Sequence, residues 1–257
     1  MPKLLDRTTI IIIISALGLA VVCILPSTRN IFPLWIIASG ASVADTMFHE
    51  MGHSITGWLL GMPNVPSILT IFGREQAAGL TWHFGHFWVV QGVVILGLLY
   101  LCYDLYGAAS KWFFPVVILT VLVLALGTSG YYQVAISYMG HGGSILMGGF
   151  FLYRSWLGLA ARNLYERWLN AFFGFFLVLN NMFFAYRLVY DEDYNDEYVN
   201  HVIGNITHND FVKLAGEVSG WTVHGIANFT MIFCASVIVV SFLASVYIFK
   251  AGRSIQQ

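Results

Sequence analysis

The sequence predicts an all-α, polytopic membrane protein of about six or seven transmembrane helices, with a candidate short β-hairpin after the second span. Three observations carry that prediction. Of 257 residues, 58% are hydrophobic and only 10% charged, against about 25% charge in a soluble domain. The mean hydropathy is +0.74. The apolar residues fall in runs long enough to cross a bilayer, separated by short polar links. A net charge of −1 leaves no electrostatic footprint for a nucleic-acid partner. Cys23, Cys102 and Cys234 sit far apart in apolar runs and read as small hydrophobes, not as a disulfide framework or a thiolate metal site. The chain reads as one membrane-embedded domain over 1–257, without the internal repeat of a transporter built from paired halves.

The first span covers about residues 8–26, and Pro26 ends it. Lys3 and Arg7 before it imitate a signal peptide, but no A-x-A-like cleavage site follows, so the run is expected to stay as a span. The second span, about 32–60, is followed by a stretch from Met62 to Trp82 whose two prolines and Gly-Arg-Glu-Gln turn suit a hairpin or an ordinary connecting loop. Such a hairpin could bind an extended substrate by strand addition. Further spans are expected at about 84–103, 113–137, 144–160, 168–190 and 223–249, with a link carrying His141 at 138–143 and a hydrophilic loop at about 191–222. With that count, all eight histidines fall on or near one side of the membrane. Lys and Arg divide almost evenly between the two sides, so the positive-inside rule does not decide the orientation; Lys3 and Arg7 favour a cytoplasmic N-terminus, and with it a cytoplasmic histidine-rich face.

Inside the second span stands Phe48-His-Glu-Met-Gly-His53. On a helix His49 and His53 lie one turn apart on one face, where both imidazoles can bind a single Zn²⁺. Glu50 can then act as general base toward a metal-activated water. Charged groups near the bilayer centre cost on the order of 2.5–3.5 kcal/mol each on insertion scales, so they are functional candidates by default. A catalytic zinc also needs a third protein ligand. Asp210, a carboxylate from a distant segment, is the first candidate; His141, between glycines, and His224, at the mouth of the last span, are alternatives. His208 could ligate or orient Asp210, and Asp45, one turn before His49, is expected to support a ligand histidine. Asn180 and Asn181 form an intramembrane amide pair that serves the site or ties helices together. His83, His86 and His201 read as interfacial residues.

These residues resemble the site-2-protease-like M50 membrane metallopeptidases, in particular the M50B-like branch. The resemblance rests on Phe48-His-Glu-Met-Gly-His-Ser54 with Gly57 and Gly61. Looser support comes from the segment from Ile71 to Thr81 and from Asn209-Asp-Phe-Val-Lys-Leu-Ala215. It implies a zinc intramembrane protease acting on membrane-protein or peptide substrates: His49 and His53 as ligands, Glu50 as base, and Asp210 as the carboxylate ligand. The chain has no Asn-Pro-Asp-Gly or Leu-Asp-Gly motif and no PDZ-like insertion, so the third ligand and any substrate filter must come from its own spans and loops. The expected setting is the lipid bilayer of a bacterial inner (plasma) membrane. Two other classes remain open. One is a non-catalytic metal-binding protein closed by four ligands, such as His49, His53, His141 and Asp210 or His224. The other is a metal or proton transporter using the same groups as a relay.

Overall fold

In the computed structural model, the described residues are 7–69, 78–108, 110, 112–157, 163–200, 202–203, 206–207, 209–218 and 220–254. They form nine α-helices and two small antiparallel strand pairs. Helix α1 (Arg7–Ile24) ends before Pro26, and a 3₁₀ turn at Pro26–Asn30 leads into α2 (Leu34–Leu59). Gly61 stops α2: its φ of 80° is open to a residue without Cβ, and the N–H groups of Gly61 and Met62 return to the carbonyls of Trp58 and Gly57 at 3.3 and 2.7 Å. Two of the helix's orphan carbonyls are satisfied in this Schellman arrangement.

Strands β1 (Asn64–Leu69) and β2 (Ala78–His83) pair with Asn64 opposite His83. Asn64 pins β1 to α2, accepting from Trp58 Nε1 at 2.9 Å and donating to the His53 carbonyl at 3.4 Å. Helices α3 (Trp88–Gly107) and α4 (Phe113–Thr128) then form a hairpin. The expected spans at 113–137 and 144–160 divide elsewhere: the chain breaks at Ser129-Gly130 and runs on as one helix, α5 (Tyr132–Leu157). The expected link at 138–143 is therefore helical, and His141 stands inside α5. Helix α6 (Leu164–Tyr190) is started by Asn163, whose side chain accepts from the Glu166 N–H at 2.9 Å. Helices α7 (Glu192–Asn200) and α8 (Asp210–Glu217) occupy the hydrophilic stretch, with the two-residue strands β3 (Val202–Ile203) and β4 (Ile206–Thr207) between them. Helix α9 (Val223–Ser254) closes the bundle.

Four helices, α1, α3, α6 and α9 through Phe249, are long and apolar enough to cross a membrane, and α4 is a shorter apolar helix. Helices α2 and α5 have 26 residues each but carry polar side chains. The two run antiparallel: His53 meets Ile136 at one end of their contact, and Asp45 meets Ser144 further along. Glycine lets them approach, since a Cβ on Gly52 would strike the Met139 carbonyl and one on Gly143 would strike Gly52 Cα. In lipid, where burial of apolar surface gains little, such close approach supplies the dispersion contacts that hold helices together. One core cluster joins α1, α5 and α6 around Ala16, Ala20, Ile145, Leu152, Ala171 and Phe176. A second, around Leu188, Phe211, Leu214 and Ile226, fastens α8 to α6 and α9.

Candidate metal centre

Helix α2 presents His49 and His53 toward α5, and α8 brings Asp210 to meet them. Asp210 Oδ2 lies 2.9 Å from His49 Nε2 and 3.2 Å from His53 Nε2, and the two Nε2 atoms are 3.1 Å apart. Tetrahedral zinc at roughly 2.0–2.1 Å from its ligands separates them by about 3.3 Å, so the triangle matches a metal's ligand face after slight expansion. Among the described residues this is the group of three that could hold a metal ion.

The protonation pattern suits that role. A backbone carbonyl only accepts, so the 2.7 Å contact between His53 Nδ1 and the Ile136 carbonyl makes Nδ1 the donor. Nε2 of the neutral ring is then the bare nitrogen, and it faces Asp210. Burial alone would raise the Asp210 carboxyl, but when the two Nε2 atoms carry protons their hydrogen bonds and charge outweigh it and hold the group well below the usual carboxylate range. Space is kept by Gly140: a Cβ there would run into Nε2 of both His49 and His53. Glu50 is buried, 5% exposed, one turn before His53 on α2.

His141 is close to the trio without joining it. Its ring stands edge-on to His49 with centroids 4.6 Å apart, and it stacks on Phe184 at 4.9 Å. Its Nδ1 donates to Asn181 Oδ1 at 2.7 Å. His224 is exposed at the start of α9 and takes no part in the group. His86 lies at the entry to α3 against Trp88 and Tyr132. His201 and His208 lie outside the described residues, as does the side chain of His83.

Asp45 departs from the expected role. It does not bond a ligand histidine; its carboxylate accepts from Ser144 Oγ, from Asn180 Nδ2 at 2.6 Å and from Asn181 Nδ2 at 3.2 Å. The support reaches the metal-capable residues indirectly, from Asp45 to Asn181, to His141, to the face of His49. A cavity of about 60 Å³, lined by Cys23, Trp35, Ser39, Ser42 and Asn180 among others, adjoins this cluster. Sequence reasoning missed four contributors: the Ile136 carbonyl, Gly140, Ser144 and Phe184. A backbone acceptor and a space-keeping glycine leave no chemical signature in a sequence, and Ser144 and Phe184 look like ordinary helix residues.

Comparison with protein-family models, with curated proteins and with solved structures finds no match to this chain.

Proposed function

We propose that the protein is a zinc-dependent intramembrane metallopeptidase of the site-2-protease-like M50 kind, cutting peptide bonds of membrane-protein or peptide substrates. The observation that carries the proposal is the triangle of His49, His53 and Asp210, with edges of 2.9–3.2 Å, built on a helix that also holds a buried Glu50. In this reading α2 and α5 cross the bilayer beside α1, α3, α6 and α9, and α4 brings the count to seven. The membrane would be a bacterial inner membrane.

Bound zinc supplies a Lewis acid and a water that is nucleophilic near neutral pH. The protein's own residues do the rest. His49 and His53 would hold the metal through Nε2, and the Ile136 carbonyl fixes the His53 ring. Asp210 would supply the anionic ligand, and Glu50, buried on the same helix as the two histidines, would serve as the general base and then as the proton donor to the leaving amine. Among the described residues the group that could hold a metal has three members, the number of protein ligands a catalytic zinc would need. In this reading strands β1 and β2, pinned to α2 through Asn64, would present backbone groups to an extended segment of substrate.

Glu50→Gln tests the reading. It should retain zinc, measured as one metal per chain in detergent, and lose cleavage of a membrane-embedded reporter by at least about a hundredfold, the lower range for general-base removal. Unchanged cleavage would overturn the assignment. A second reading, cation or proton transport, draws on the polar side chains that continue from His141 through Asn181 to Asp45 and its cavity. It predicts metal or proton flux in proteoliposomes that Asp45→Asn abolishes and Glu50→Gln leaves in place.

A further inference from the structure

Asp210 is the weak point in the assembly of this centre. His49 and His53 are carried by a helix of 26 residues packed inside the bundle, whereas Asp210 opens a helix of eight. A helix so short does not hold itself together in water, so whatever seats its first turn decides where the carboxylate points. The usual device is absent: Asn209 stands at the N-cap position, yet its side chain makes no capping bond within α8. The Asn209 amide donates instead to the backbone carbonyl of Tyr198 on α7. On the other side of Asp210, the Phe211 N–H, one of the orphan donors of a helix start, donates to the Tyr198 hydroxyl at 3.3 Å. One residue of α7 therefore grips both neighbours of Asp210. Its ring stands edge-on to Phe184, which stacks on His141. The clamp is thus continuous with the packing around His49.

We propose that Tyr198 is the positioning residue for the third metal ligand: by capping α8 from outside, it aims Asp210 at the two imidazoles. It acts through Asp210 and touches neither metal nor substrate. The proposal rests on the reading of His49, His53 and Asp210 as ligands. It also makes α7, an otherwise solvent-facing helix carrying Glu192, Asp193, Asp196 and Glu197 on its exposed face, part of the machinery that completes the site.

The test uses the full chain in detergent with Co²⁺ as the probe, whose visible absorption reports ligand number and type. Wild type is measured first, beside Asp210→Asn as the reference for a lost third ligand. Tyr198→Phe keeps the ring and its packing and removes only the hydroxyl. It should weaken Co²⁺ binding by roughly tenfold, the lower end for loss of a group that orients a ligand. Its spectrum should move toward that of Asp210→Asn, while the metal-free protein keeps a single melting transition, lowered by no more than the few degrees that loss of one helix cap costs. Asn209→Ala cuts the second contact without touching the tyrosine and should shift the spectrum in the same direction. Wild-type affinity and spectrum in both variants would overturn the proposal. A lowered metal-free melting temperature with an unchanged spectrum would also overturn it, assigning Tyr198 to packing alone. A wild-type chain that binds no Co²⁺ would overturn the ligand reading itself, a failure visible before any variant is compared.

Discussion

At the scale of single residues, the centre depends as much on what is missing at Gly140 as on the side chains that surround it. The position faces Nε2 of both histidines, so the smallest substitution, Gly140→Ala, puts a methyl group where the two metal-capable nitrogens converge. Zinc affinity measured against a competing chelator should fall at least about tenfold, the scale of disturbing a ligand's orientation. Gly40→Ala on the ligand-bearing helix is the control, because a Cβ there meets nothing within 4 Å. Equal affinities in the two variants would show that the metal does not lie over Gly140. The meeting of His49 and His53 was legible in their one-turn spacing, and Asp210 in its residue type alone. Asp45 was legible as a polar residue in need of a partner but not in its connection. Spacing on α2 placed it one turn from His49, whereas the donors that claim it come from α5 and α6. Pairings between distant helices leave no periodic trace in one sequence.

At the scale of elements, glycine explains both the strength of the fold and the error in reading it. Gly142-Gly143 looks like punctuation between spans, since glycine commonly marks a break. Here the real break falls at Ser129-Gly130, and Gly143 is a contact: its hydrogen faces Gly52 Cα where α2 crosses α5. A glycine in an apolar run serves either purpose, and only the partner helix tells which. The apolar runs behind α1, α3, α6 and α9 needed no partner to be recognised, since each is long enough on its own terms. The distinction has a measurable counterpart. Gly143→Ala forces a Cβ to within 2.7 Å of Gly52 Cα, an overpacking that costs about 1–3 kcal/mol. It should lower the melting temperature by several degrees and loosen zinc binding with it, because the same crossing sets His53 against Ile136. Gly97→Ala, in the open on α3, removes a helix-interior glycine worth about 1 kcal/mol of propensity and should leave the melting temperature equal or higher. A Gly143→Ala protein as stable as Gly97→Ala would mean that the α2–α5 crossing is looser than described.

At the scale of the whole molecule, the side chains that could hold a metal are gathered where four helices meet. The end of α2, the start of α5, the end of α6 and the short helix α8 meet there. The α3–α4 hairpin stands apart from this plan. Gln91 is the one buried residue of α3, and its neighbours on the helix face outward or lie half-covered. The hairpin is fastened near Gly61, where the Phe87 N–H donates to the Gly61 carbonyl at 2.7 Å and the Gln91 side chain lies against Gly127 of α4. Neither the amide nitrogen nor the oxygen of Gln91 has a hydrogen-bond partner among the described residues. A buried polar group in that state costs about 1–3 kcal/mol, so the single inward side chain of α3 opposes its own docking. Gln91→Leu, of similar volume and without polar atoms, removes the penalty. It should raise the melting temperature in detergent by a few degrees, at about 2–4 °C per kcal/mol for a chain of this size, and leave zinc affinity at the wild-type value. Gln91 lies against Gly61 at the end of α2, about two turns past His53, and touches none of His49, His53 and Asp210. A lower melting temperature in Gln91→Leu would mean that the amide is paired in the membrane, and a changed zinc affinity would mean that the hairpin is coupled to the metal-binding end more tightly than its packing implies.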